Sequence, residues 1–173
     1  MTGFTSALGD REALETALAG HGPYELFACD PALADTAAFC AAYGFALGES
    51  ANTIVVVGKS DPPRFAACVV LATHRLDVNR TIKERLGTRK ASFASPDETR
   101  TLTGMAIGGV TVFGLPEGLP LWVDAAVIEA GERIVIGGGS RSWKVIAPPS
   151  ILLTLPGVEV VEGLAYPFTP AAT

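Results

Sequence analysis

Histidine is nearly missing from this chain: His21 and His74 are the only two in 173 residues. They are the side chains whose ordinary pKa suits a general base near neutrality, and neither stands beside a G-x-S-x-G elbow or a papain-like cysteine context, so a catalytic triad is excluded. Both read as structural or solvated. Cysteine is equally sparse, at positions 29, 40 and 68, with no C-x-x-C pair and an odd count. That pattern builds neither a disulfide framework nor a zinc site, so no metal or cofactor is expected and the three thiols read as small core residues. An excess of basic charge is also lacking: thirteen Lys and Arg against eighteen Asp and Glu leave a net charge of −5. No global field draws the chain to nucleic acid, DNA is not expected as a partner, and any RNA contact must be local. No window holds 18 uncharged apolar residues, and MTGFTSALGDREALE puts acid where a signal peptide needs a basic and then apolar run. The expectation is a protein of the reducing cytoplasm that does not enter a membrane.

What is abundant is apolar: 49% of residues are hydrophobic, 18% are charged, and the mean hydropathy is +0.36. Such a chain packs, and its length suits one domain over residues 1–173. Asp10 can cap a first helix carrying Ala13, Leu14, Ala17 and Leu18 as one stripe, ended by Gly20 and Gly22. Tyr24–Cys29 reads as a short strand, and Asp30-Pro31 opens an alanine-rich helical stretch that runs to Gly44. Thr53–Val57 and Phe65–Ala72 are β-branched and apolar runs split by GKSDPP, hence two neighbouring strands. Asn79–Gly87 reads as a short helix, and Ser95-Pro96-Asp97-Glu98 is a capping box for another that stops near Gly104. Beyond it, glycine-rich loops alternate with strands at Leu119–Val123, Arg133–Ile136 and Trp143–Ala147. A last short helix starts at Pro148, Val158–Val161 reads as an edge strand, and AYPFTPAAT as a loose tail. The sum is a mixed α/β fold with a curved sheet or partial barrel. Leu115, Leu119, Leu121 and Trp122 read equally as core or as a contact between two copies, so a homodimer stays open.

Two loops tempt a phosphate-binding reading. GGGSRSWK lacks G-x-x-x-x-G-K-[ST], and IGGVTVFG lacks both G-x-G-x-x-G and a strand-to-helix setting, so nucleotide hydrolysis and dinucleotide binding are disfavoured. The glycines instead permit bulges and positive φ in a bent sheet. Five of the thirteen basic residues, Arg80, Lys83, Arg85, Arg89 and Lys90, fall within eleven positions. Arg80 and Lys83 share a helix face, so the cluster is either a phosphate-contacting patch or a solvated face.

The order FAACVVLAT, IKERLGTRKASFASPDETRTLTGMAIGGVTVFGL, LPLWVDAAV and IVIGGGSRSWKVIAPPSILLTL resembles the YbaK-like, prolyl-tRNA-synthetase-associated editing domains. The resemblance runs from about Thr53 to Val161, roughly two thirds of the chain. It includes the short basic helix, the Thr103-Gly104 turn, Gly108-Gly109, Asp124, and a glycine-rich loop before a strand ending in Ala-Pro. It implies a curved, mostly antiparallel sheet flanked by short helices and the release of amino acids from mischarged tRNA, such as cysteinyl- or alanyl-tRNA(Pro). An aminoacyl ester is already activated, so water attack needs positioning and amide donors aimed at the oxyanion more than an ionisable catalyst.

On that resemblance the backbone of Gly109, Val110 and Thr111 faces the ester. Asn52, Thr103, Gly104, Gly108, Val112, Asp124, Gly137, Gly138, Gly139 and Ser140 line the pocket, while Arg80, Lys83, Arg89 and Lys90 meet tRNA. Two positions depart from the family pattern. A G-x-x-x-P loop is here Gly108-Gly109-Val110-Thr111-Val112, and the lysine of a K-T-L-type motif is Asn52, which donates a hydrogen bond but carries no charge. Lys59 lies roughly 20 Å further on in an extended strand and does not replace it. The expectation is a stand-alone deacylase that grips its substrate differently. The alternatives are a pocket that binds tRNA ends or an aminoacyl-like ligand without turnover, or another small-molecule function on the same fold.

Overall fold

The run Arg64–Leu71 (β3) has no polar face: Ala67, Val69 and Leu71 enter one hydrophobic core and Ala66, Cys68 and Val70 another. A strand covered on both sides reads as a continuous apolar run, because neither alternating set meets water. β3 is the middle of a five-stranded sheet in the order β5 (Ala91–Phe93), β2 (Ala51–Gly58), β3, β6 (Leu121–Asp124) and β9 (Val158–Val161). The β5–β2 and β2–β3 pairs are antiparallel, and β3–β6 and β6–β9 are parallel. A three-stranded antiparallel sheet, β1 (Glu25–Ala28), β8 (Trp143–Ala147) and β7 (Ile134–Gly137), packs against it. The structure, a computed structural model, describes residues 11–168. The expected Asp10 cap and the end of the expected tail lie outside them.

Between the two sheets lies the larger core, where Leu121 and Val123 of β6 meet Ile134 and Ile136 of β7 and Val145 of β8. Helix α1 (Arg11–Leu18) closes it with Leu14 and Leu18, both fully buried. The far face of the five-stranded sheet is covered by a π-helical turn, Val78–Ile82, running into α3 (Lys83–Leu86), so the short basic helix forms with an irregular start. Helix α2 (Thr36–Tyr43) lays Phe39 and Cys40 on the outer face of the three-stranded sheet. Ser95 caps α4 (Pro96–Thr103): its hydroxyl accepts from the Glu98 amide, and Glu98 accepts from the Ser95 amide. A four-residue helix, α5 (Ala125–Ile128), follows β6.

Among the described residues five of the seven strand pairings are antiparallel, and no barrel closes. The expected architecture, mixed α/β with a mostly antiparallel curved sheet and short helices, is the one present. The tail differs from expectation: Ala165–Pro167 (β10) pairs with His74–Leu76 (β4), and Leu164 beside it is fully buried, so apolar burial holds a segment that turn signals alone mark as loose. Leu121 and Trp122 are buried in the two cores, and Leu115 and Leu119 pack against the larger one. Among the described residues no helix is long and apolar enough to cross a membrane.

Candidate functional site

The two sheets touch at a parallel bridge between Ser50 and Val135, and β5 reaches only Val56–Gly58 of β2. The first half of β2 therefore has a strand partner on its β3 side alone. A cleft of about 220 Å³ opens along this edge. Its walls come from four separated segments: Ala34, Asp35, Thr36 and Phe39 at the start of α2; Ser50–Ile54; Ile107, Gly108 and Val110 of the glycine-rich loop; and Val135–Gly137 with Lys144.

Two glycines set the shape of the loop. Gly108 has φ +92°, a left-handed conformation that a side chain disfavours, and a Cβ there would strike the Arg141 guanidinium. At Gly137 the close approach is backbone: a Cβ would collide with the Val110 carbonyl oxygen and stand 3.0 Å from its carbon. The loop is also tied to residues 137–140, because the Gly139 amide donates to the Gly109 carbonyl at 2.7 Å.

These ties decide which amides are free. Gly109 N–H donates to Ala106 O at 3.0 Å, and Thr111 N–H donates to Met105 Sδ at 3.5 Å. Thr111 is fully buried, and its hydroxyl accepts from Phe113 N–H. Among the described residues the amides of Gly108 and Val110 have no acceptor. Of the three expected donors, Gly109 and Thr111 are committed to holding the loop, whereas the Val110 amide, like that of Gly108, is without an acceptor among the described residues.

Of the other residues expected at the site, Asn52 and Gly137 line the cleft along with Gly108. Thr103 and Gly104 end α4, where the Thr103 hydroxyl donates to Thr99 O and Gly104 forms the left-handed cap. Val112 sits in the large core, Asp124 accepts from the Ala165 amide at 3.2 Å, and Gly138 packs on the Trp143 backbone. Gly139 and Ser140 stand behind Gly109. None of these residues lines the cleft. The basic cluster packs on the far end of β2, where Leu86 and Thr88 adjoin Gly58, six residues and roughly 20 Å from Asn52. Arg80, Arg89 and Lys90 are exposed and Lys83 half-buried, whereas Arg85 is engaged by Glu159 and lies over the Trp122 ring.

The chemistry inside the cleft is polar but poor in proton acceptors. Asn52 Oδ1 accepts from the Thr36 hydroxyl at 2.6 Å, which leaves its amide nitrogen free to donate. Thr53 Oγ1 is the one buried side-chain oxygen or nitrogen without a partner among the described residues. Asp35 turns to Arg141, at 3.1 Å. Lys144 was not expected here. It is 7% exposed, donates to Ala34 O at 2.8 Å, and sits 5.4 Å from the centre of the Phe39 ring. Removal from water pushes its pKa below the ordinary lysine value. The one signal in the chain was a lone charge inside the apolar strand WKVIA. His21 pairs with Thr154 and His74 with Thr73, away from the cleft.

Residues 30–154 match the aminoacyl-tRNA editing domain family. The multifunctional Ser/Thr-tRNA deacylase ProXp-y of Escherichia coli (strain K12) is 27% identical over 119 residues, 69% of this chain and 71% of that protein. A solved structure of a candidate trans-editing enzyme for prolyl tRNA synthetase is 28% identical, with a TM-score of 0.74 over 91% of this chain and 96% of its own. The hypothetical protein APE2540 is 25% identical, with a TM-score of 0.77 over 88% and 99%.

Proposed function

The chain belongs to the aminoacyl-tRNA editing domain family, and we propose that its cleft hydrolyses the ester of mischarged tRNA with the Gly108 and Val110 amides as oxyanion donors. The observation that carries this reading is the pair of backbone N–H groups without acceptors among the described residues, beside a cavity of about 220 Å³ lined by both apolar and polar side chains. Water attacks the ester carbonyl carbon, the carbonyl oxygen takes up negative charge, and two preorganised donors stabilise it. The carbon–oxygen bond to the ribose then breaks, and the ribose oxygen leaves as the hydroxyl once it has gained a proton. Such donors need no titration, which accounts for a site without histidine.

The cavity fits a small acyl group. The family resemblance points to cysteinyl and alanyl groups, and the similar deacylase is named for seryl- and threonyl-tRNA. The unpartnered Thr53 hydroxyl favours an acyl side chain with a hydroxyl of its own, because a buried hydrogen-bonding group left unpaired is costly. The protein would act on tRNA in the cytoplasm. Deacylation assays with seryl-, threonyl-, cysteinyl- and alanyl-tRNA test this. Seryl or threonyl ester should turn over roughly tenfold faster than alanyl ester, and Thr53→Val should erase the difference. Rates equal to the protein-free control on all four reject the hydrolase; binding of a charged tRNA end without turnover would instead make the cleft a recognition pocket.

The basic cluster, exposed at Arg80, Arg89 and Lys90, suits the tRNA backbone beyond the acylated end. Replacing Arg80, Lys83, Arg89 and Lys90 with glutamine should weaken tRNA binding roughly tenfold or more at low salt and flatten the salt dependence. Hydrolysis of a short aminoacyl-adenosine should stay unchanged. An unaltered salt slope would return the cluster to an ordinary solvated face.

A further inference from the structure

Among the described residues that line the cleft, Lys144 is the only cation. Its Nζ carries three N–H bonds and the Ala34 carbonyl takes one. Among the described residues no carboxylate lies within ion-pair distance of it, and Asp35, the one acid of the lining, is engaged by Arg141. The side chain projects from β8 on the same side as Ile146, toward Phe39 and Ala34. A buried ammonium with one hydrogen bond and no carboxylate within ion-pair distance is costly in an apolar wall, where methionine would fill the space without charge. The remaining N–H groups belong to a side chain that lines the same cleft as the uncharged Asn52.

We propose that Lys144 supplies the positive charge of this site, donating a charge-assisted hydrogen bond to the substrate's carbonyl oxygen as it becomes an oxyanion. This assignment rests on the deacylase reading and names the residue that strengthens it. It also says how the cleft manages with asparagine at position 52: the charge comes from the three-stranded sheet, not from β2. Two cations in a cavity this small repel each other, so a lysine added at position 52 should harm the wild type and help a variant that has lost Lys144.

Four variants test this, each compared with wild type: Lys144→Met, Lys144→Gln, Asn52→Lys, and Asn52→Lys combined with Lys144→Met. The measurements are single-turnover deacylation of seryl-tRNA and the affinity for a non-hydrolysable 3′-amide analogue of seryl-adenosine. Lys144→Met and Lys144→Gln should both lose about 100-fold in rate and about tenfold in analogue affinity. Glutamine can still donate to the Ala34 carbonyl, so a role confined to holding α2 would be rescued by it. Asn52→Lys should slow the wild type and raise the rate of Lys144→Met by about tenfold or more, a change of sign that independent sites do not show. A Lys144→Gln protein within about threefold of the wild-type rate, or a position-52 lysine acting alike in both backgrounds, overturns the proposal. Should the wild type hydrolyse none of the four esters, the deacylase reading fails. Lys144 is then judged on the analogue alone: lost affinity regained in the double variant supports it, and equal affinities overturn it.

Discussion

Gly137→Ala should cost about 2–3 kcal/mol of stability and, independently, most of the deacylase activity. A Cβ at this position has no flexible side chain to push aside. It meets the Val110 carbonyl oxygen, and the next atoms are the Val110 and Gly109 carbonyl carbons at 3.0 and 3.4 Å. The loop cannot swing away freely, because the Gly139 amide holds the Gly109 carbonyl and Gly109 itself donates to Ala106. Gly137 is in turn fixed opposite Lys144 in the β7–β8 ladder. One side must yield, and the Val110 amide moves with it. Misplacing a transition-state donor by about 1 Å costs on the order of 100-fold in rate. Thermal unfolding should show a midpoint lower by roughly 4–12 °C for a chain of this size, with a rate loss persisting well below that midpoint. Wild-type behaviour in both measurements would mean that the glycine is not needed for the approach of the two loops.

Phe39→Ala should have the larger effect on stability, about 3–5 kcal/mol. Phe39 is 1% exposed and touches the rings of Phe27, Tyr43 and Phe45, the last stacked at 5.3 Å, so one truncation opens the whole interface between α2 and the three-stranded sheet. Phe39 also walls the cleft and shields Lys144, which adds a pH signature. The wild-type ammonium is disfavoured by burial, so its pKa lies below the ordinary 10.5. Between the folded value and 10.5 the unfolded chain holds more of this proton, and stability rises with pH across that window. The penalty is fully present below the folded value. Water entering at position 39 should raise the pKa and flatten the slope. Chemical denaturation across the alkaline range reads both effects; a slope equal to that of wild type would show that Phe39 does not keep Lys144 dry.

Much of the local structure was legible in the residues. The Ser95 and Glu98 box forms as its spacing requires, since capping depends on groups three positions apart. Gly44 and Gly104 end their helices in the left-handed conformation for an equally local reason. The two strands around GKSDPP pair as expected, and extend slightly further at Ala51 and Gly58. Expectation and structure diverge where burial outweighs turn chemistry. Ala165–Pro167 lies on β4 because Leu164 and Ala165 fill the space over the second core.

The site divides in the same way. Composition argued against a triad and a C-x-x-C-type zinc site, and the motifs carried the family and the short basic helix and drew attention to the loop around Gly108. Which amides of that loop are spare could not be read from its glycines, because the answer depends on Ala106, Met105 and Gly139 as partners. Lys144 stayed hidden for a similar reason. A lysine in a strand takes its meaning from what surrounds it: Ala34 and Phe39, which it touches, and Asn52, which lines the same cleft, lie between 92 and 110 positions away in the chain. Short-range pattern therefore encodes helices, caps and turns, whose energies come from neighbours a few residues apart. The cleft draws on four segments brought together by the packing of two sheets, and only that packing determines which groups are left unsatisfied and free to meet a substrate.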